Sequence, residues 1–359
     1  PGEWLQQGSL VAGGARGFGL NRRWPKKLNG AWLQVAFFAL MGLFSAAILT
    51  TPAITAGFLL GLIVLALVLS LVFERRAFCR HICPIGGFSG LYAQLAPLEV
   101  RVADRSVCAA CRDKPCFNGS AAGYGCPWGN FPAALKSNFN CGLCTECLRT
   151  CPQGNMVLRT RPYGAELAAP GQPARLDEAA FNLLMLGSAV AFTAVFLGPW
   201  GWLKSAAYSV GTPAWLLYAA GFLSLVLGVV PGLFTLAVRL SLPAGQSLKK
   251  AVAERSRALL PLGAATWMAF TVSFALAKAG YLLPVLSDPF GWGWDLFGTA
   301  RLAWSPDVAG ISPPLQAVLL VGGLLWTGRL ARQSGARSAA PLLVFSLLYT
   351  LLMLWLLVG

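Results

Sequence analysis

The sequence predicts an all-α polytopic membrane protein of about seven transmembrane helices, interrupted after the second by one small cysteine-rich domain. Three observations carry this. Of 359 residues, 56% are hydrophobic and only 11% charged, where a soluble domain is about a quarter charged. Several apolar runs reach the length of about 20 residues that a membrane helix needs. All ten cysteines fall between Cys79 and Cys151, so the metal- or redox-bearing part is confined to one insert.

Residues 1–30 read as a cytoplasmic N-terminal segment. The chain begins at Pro1, no signal-peptide pattern precedes Ala31, and further sequence is expected upstream. Ala31–Thr50 and Ala53–Phe73 form a transmembrane hairpin (31–73) turned at Thr51-Pro52. Residues 74–164 hold the cysteines, and 165–180 are a linker whose Ala165–Ala174 part is rich in Pro, Gly and Ala. The C-terminal region, 181–359, holds five further helices: Phe181–Trp202, Ala214–Val238, Leu259–Leu283, Pro314–Leu330 and Ala340–Val358. Pro231 is expected to kink the second of these, and Pro261 suits the first turn of the third. An extracytoplasmic loop at about 284–313 contains Phe290, Trp292, Trp294 and Phe297. These read as an interfacial aromatic belt or, more sharply, as a docking surface for an extracytoplasmic partner.

A net charge of +15 on a soluble fold would suggest nucleic acid. Here the basic residues sit in the connections. With the N-terminus in the cytoplasm, 25 of the 28 Lys and Arg fall in cytoplasmic segments, and only Lys204 and Arg301 on the opposite side. This is the positive-inside pattern. It places the cysteine domain on the cytoplasmic face of a bacterial or archaeal cytoplasmic membrane and excludes a nucleic-acid partner.

Cys141-x2-Cys144-x2-Cys147-x3-Cys151-Pro152 has the spacing of a bacterial ferredoxin run, in which three thiolates hold one cluster and the fourth serves the other. A zinc site would more often show two separated Cys-x2-Cys pairs. A looser set lies upstream, Cys108-x2-Cys111-x4-Cys116 and then Cys126-Pro127, with a loop insertion before Cys126. Exchanging the fourth ligands gives two [4Fe–4S] clusters, one on Cys108, Cys111, Cys116 and Cys151, the other on Cys141, Cys144, Cys147 and Cys126. The insert is thus expected to be a small bacterial-ferredoxin-like 2×[4Fe–4S] domain. Arg105, Arg112, Lys114, Lys136 and Arg149 are the cations expected around its anionic centres.

Cys79 and Cys83 remain. Pro84 disfavours a helical Cys83, so the second span and its extension should end there. On a final helical turn the two β-carbons would stand about 5–6 Å apart, beyond the roughly 3.5–4.5 Å of a relaxed disulfide. They read either as free buried thiols or as thiolate ligands of a further metal or iron–sulfur centre, favoured by Arg75, Arg76 and Arg80. His81 is the one histidine and reads as a solvated or phosphate-facing side chain. A transmembrane b-type haem usually needs an axial pair, so no haem is expected from this chain. The spans have no Asp or Glu in their interiors, and only Lys278 near an end, which disfavours an ion transporter.

The stretch Phe78–Gly87 (FCRHICPIGG), followed by the double cysteine set and flanked by membrane helices, resembles the membrane polyferredoxin family. That family includes the nitrous-oxide reductase regulatory and maturation protein and the quinol-side component of periplasmic nitrate reduction. The resemblance covers about residues 70–160. It implies a membrane-bound electron-transfer subunit of a respiratory chain, relaying electrons between a quinol or cytoplasmic donor and an extracytoplasmic reductase. Its partners would be membrane lipid and flavin-, haem- or quinone-binding redox subunits. An assembly or maturation factor that reduces metal for another enzyme is the alternative. Family members commonly carry two Cys-x3-Cys-Pro motifs. This sequence shows one, at Cys79 to Cys83, and a second would lie upstream. No flavinylation motif is present.

Overall fold

Among the described residues, six helices are long and apolar enough to cross a membrane: Pro52–Val72, Leu176–Phe196, Pro213–Leu240, Leu248–Ser287, Ala309–Gln333 and Ala339–Leu357. This computed structural model describes residues 19–169, 175–243, 245–303, 309–333 and 336–359. Parts of three expectations fall outside them: residues 1–18 of the N-terminal segment, 170–174 of the linker and 304–308 of the extracytoplasmic loop.

The expected first span is broken into Trp32–Leu43 and Ser45–Thr50. Gly42 and Ser45 flank the break, and Gly/Ser pairs are a common cause of kinks. Gly42 also admits the Phe222 ring, whose edge lies 2.8 Å from where a Cβ would stand. Thr51 is extended and Pro52 opens the next helix, as the hairpin required. The Pro52–Val72 helix buries none of its residues and exposes Leu59, Leu60 and Ile63.

Leu176–Phe196 is the hub. It starts five residues before the expected Phe181, because Asp177 and Glu178 suit the first turn of a helix. The Ala31 N–H donates to Asp177 Oδ2 at 2.7 Å, tying the first helix to the hub. It ends at Phe196, and Trp202 lies on a separate short helix, Gly201–Tyr208, after the chain breaks at Pro199. Small residues let the helices close. A Cβ on Gly187 would stand 2.9 Å from the Val226 backbone, and one on Gly323 would stand 2.6 Å from the Ala265 methyl. Membrane interfaces use small side chains this way.

Pro231 does not break its helix sharply. A π-helical stretch, Ser224–Val229, immediately precedes it and absorbs the missing N–H and the clash of the ring with the preceding turn. Pro261 does sit in a first turn, that of Leu260–Lys278. The helix continues upstream of the expected Leu259 through a 3₁₀ joint, Arg257–Leu259, to Leu248.

The insert is closed at its base by a two-stranded antiparallel sheet, Leu98–Val102 against Met156–Thr160, in register Leu98↔Thr160 and Val102↔Met156. An ion-pair network crosses it. Glu99 accepts from Arg159 at 2.6 Å and from Arg161 at 2.7 Å, and Arg161 also reaches Glu166 at 2.9 Å. Arg101 completes the group, 3.2 Å from Glu99. The expected linker therefore begins with structure: Ala165–Ala168 is a helical turn whose Glu166 side chain is fully buried, because it neutralises Arg161 and Arg101 and accepts from the Asn138 N–H.

Candidate metal centres

Eight cysteines line two separate cavities. The first, with an empty volume of about 350 Å³, is lined by Cys108, Cys111, Cys116 and Cys151. The second, of about 400 Å³, is lined by Cys126, Cys141, Cys144 and Cys147. Among the described residues, no three His, Cys, Asp or Glu side chains close on a point that a single ion could occupy. The sulfurs instead surround a space.

Local sequence explains the first ring. Asp104 caps the helix Arg105–Ala110, accepting from the Ser106 N–H at 2.7 Å, and this helix presents Cys108. Cys111 ends it in extended geometry. Lys114 then turns left-handed (φ +47°) so that Pro115 can open the turn carrying Cys116. Cys151 follows the short helix Glu146–Thr150, whose Cys147 belongs to the second ring. One helical turn thus joins the two cavities.

In the second ring, Leu143 and Thr145 both adopt positive φ, +47° and +59°, a conformation non-glycine residues seldom take. The twist turns backbone N–H groups inward: Leu143 bonds the Cys141 sulfur and Glu146 that of Cys144. Gly142 is required because the Trp128 indole nitrogen lies 2.2 Å from where its Cβ would be. Trp128 lines the cavity, and its buried Nε1–H has no acceptor.

Burial pushes the thiols of Cys147 and Cys116 up, to about 12 and about 11. Cys141 is raised for the same reason, opposed by the Arg101 guanidinium. Thiolates in such places need a bound cation to form, and metal binding supplies it. Four thiols around each cavity and an unpaired Trp128 donor facing the second fit a cluster of iron and sulfide.

Of the cations expected, Lys114 lines the first cavity, while those nearest the second ring are others. Arg101 lies near Cys141, Arg76 near Cys144 and Arg80 near Cys126. Arg149 pairs with Glu146, and Lys114 lies over the Phe131 ring. Arg75 and Arg80 also clamp the Cys126 loop to the end of the Pro52–Val72 helix, donating to the Cys126 and Trp128 carbonyls at 2.7 Å.

Cys79 and Cys83 line neither cavity. The second span ends at Val72, beside the expected Phe73, but the expected extension to Cys83 is not continuous: Arg75 is left-handed (φ +63°), and a separate turn, Ala77–His81, carries Cys79. Cys83 is extended and opens the Pro84–Ala93 helix, as the following proline dictates. Gln34 Nε2 donates to both cysteine carbonyls, at 3.2 and 3.1 Å. Gly86 lets the Cys79 carbonyl approach to 2.1 Å from a would-be Cβ. His81 is not solvated. It stacks on Trp24 with ring centroids 4.8 Å apart, and burial lowers its pKa to about 4, so it is neutral.

Gln34, Trp128 and Asn155 (which touches two sulfurs of the first ring) had no spacing signal in the sequence. Only their polarity amid apolar or glycine-rich surroundings marks them.

A family model described as a 4Fe-4S binding domain matches residues 55–100. The only cysteines in that stretch are Cys79 and Cys83. No curated protein and no solved structure significantly matches the chain. The family match and the cysteine cavities support an iron–sulfur protein with membrane-spanning helices and at least one cluster.

Proposed function

We propose that the chain is a membrane-bound electron relay with two [4Fe–4S] clusters on the cytoplasmic face, passing electrons from a quinol to a partner redox enzyme. The observation that carries it is the separation of eight cysteines into two rings of four. Cys108, Cys111, Cys116 and Cys151 would hold one cluster, and Cys126, Cys141, Cys144 and Cys147 the other. Each cluster supplies one-electron chemistry at a fixed site. The protein's own residues bury the rings, aim N–H groups at the sulfurs and bring the second ring against the membrane edge.

A membrane-facing groove supports a quinol donor. Phe88, Tyr92, Trp267, Met268, Thr271 and Leu315 line it, and the Tyr92 hydroxyl is buried without a hydrogen-bond partner. The groove adjoins the Pro84–Ala93 helix that begins at Cys83. The family match over Cys79 and Cys83 supports a further metal or iron–sulfur centre there, completed by ligands from another segment or subunit. The Trp32–Thr50 pair makes the seventh crossing. The hydrocarbon core is about 30 Å thick, and the chain's cysteines and histidine all lie between residues 79 and 151. Either electrons stay on one side, or a flavin-, haem- or quinone-binding partner carries the step across the membrane.

Iron and sulfide analysis of the purified protein, with electron paramagnetic resonance after reduction, tests the core of this reading. Two four-iron clusters give about eight of each atom and two spectrally distinct reduced centres. About four of each, with a single centre, would overturn it.

A further inference from the structure

Asn155 stands at the head of the second strand, four residues beyond Cys151, and is only 7% exposed. Its Nδ2 donates to the Asp104 carbonyl at 2.6 Å and to Cys108 Sγ at 3.1 Å. Its Oδ1 accepts from the Asp104 N–H at 2.9 Å, and its own backbone N–H reaches Cys151 Sγ at 3.4 Å. The two bonds to the Asp104 backbone fix the amide plane. One Nδ2 proton is then spent on that carbonyl, and the other has no choice but the sulfur. Two of the four sulfurs of the first cavity thus receive donors from one residue, on a strand anchored by the ion-pair network.

A donor aimed at a thiolate withdraws charge and favours the form carrying the extra electron, so it raises the reduction potential. We propose that Asn155 sets the reduction potential of the Cys108/Cys111/Cys116/Cys151 centre, donating from its side chain to Cys108 and from its backbone to Cys151. This rests on the reading that the first ring holds a [4Fe–4S] cluster. Asn155 is a positioning residue: it exchanges neither electron nor proton with the donor or acceptor. The competing account is structural, with Asn155 merely fastening the Asp104 turn to the strand.

The two accounts separate in a redox titration of the intact, cluster-loaded protein. Asn155→Asp keeps the size and the acceptor for the Asp104 N–H but removes both Nδ2 protons and adds negative charge. Asn155→Ala removes the side-chain donor without adding charge. We expect one of the two couples to move to lower potential in both variants, further in Asn155→Asp, while the other stays. Asp104→Ala loosens the cap of the same turn and leaves the donor in place, so its couples should match the wild type. Wild-type protein labelled with ¹⁵N in its asparagine side chains should show a nitrogen hyperfine coupling to one reduced centre. That measurement needs no variant to fold. Unchanged couples at full iron content, an equal shift of both couples, or no coupling in the labelled wild type would overturn the inference. A wild-type protein with about four iron atoms and no centre lost on replacing Cys108 would instead overturn the ring assignment.

Discussion

Around the Cys108 ring the side-chain donor to sulfur is neutral, the amide of Asn155. Around the Cys141 ring the backbone N–H groups of Leu143 and Glu146 meet two sulfurs, and guanidiniums add charge, Arg101 beside Cys141, Arg76 beside Cys144 and Arg80 beside Cys126. The first ring lies beyond the sheet, where dipoles fixed by backbone bonds can be aimed at individual sulfurs. The second is fastened by Arg75 and Arg80 to the segment that follows the Pro52–Val72 helix, and Arg76 and Arg80 of that segment are two of its cations. Two rings joined by one helical turn therefore draw on different mixtures of dipole and charge. A fixed dipole acts on one sulfur over a short range. A cation acts on the whole cluster but is open to screening by salt.

The largest effect should come from ligand replacement, which asks whether the two rings are separate at all. Cys151→Ser and Cys116→Ser are expected to remove the same centre, and Cys144→Ser and Cys126→Ser the other, with iron falling from about eight to about four in each case. If Cys151→Ser erased the centre lost in Cys144→Ser, the fourth cysteine would serve its own run and the rings would be wrongly divided.

Next is the base that holds both rings to the membrane helices. Glu166→Gln leaves Arg161 and Arg101 buried beside one remaining carboxylate. Breaking such a buried pair costs roughly 3–5 kcal/mol, so the insert should unfold at markedly lower denaturant and lose both clusters together. Loss of one cluster alone would mean that the rings do not share this base. A smaller and one-sided cost is expected from Gly142→Ala, whose methyl would displace Trp128. Overpacking of this kind costs about 1–3 kcal/mol, and only the centre associated with Cys141 should become labile.

Much of this was legible because membrane and cluster chemistry both write strong patterns. The hydropathy of Pro52–Val72 and the Cys141–Cys151 spacing needed no tertiary information. What the sequence hid depends on contacts distant in the chain. The break at Phe44 reflects a Gly42–Phe222 approach across 180 residues, and no local apolar count contains it. The two strands escaped notice because Glu99, Arg101, Arg159 and Arg161 read as loop charges until they are seen to neutralise one another. Of the cations expected from proximity in sequence, Lys114 does line the Cys108 cavity, whereas Arg149 pairs with Glu146. Beside the second ring the fold instead delivers Arg101 and Arg76, more distant along the chain. Residues 304–308 of the aromatic loop lie outside the described residues. The neighbouring Phe290 and Trp292 rings stack, Trp294 meets both edge-on, and Asp288 closes the cluster by accepting from the Trp292 and Gly293 N–H groups.

The smallest expected effect is also the sharpest test of the comparison. Exposed charges act through water, and their influence fades beyond a Debye length of about 10 Å at 0.1 M salt and about 3 Å at 1 M. Arg76 is exposed, so its field at Cys144 should weaken as salt is added. Arg101 is buried in its ion-pair network and should hold its effect. Asn155 acts by a direct hydrogen bond from a buried amide, which ionic strength does not screen. In a Lys114→Gln background, which removes the exposed cation lining the first cavity, raising the salt concentration should therefore lower the potential of the Cys141 centre while that of the Cys108 centre stays in place. Arg76→Gln should lower the same couple at low salt and remove most of its salt dependence. Equal salt dependence of both couples, or a larger shift at the Cys108 centre, would show that cations and dipoles are not divided between the rings as their geometry indicates.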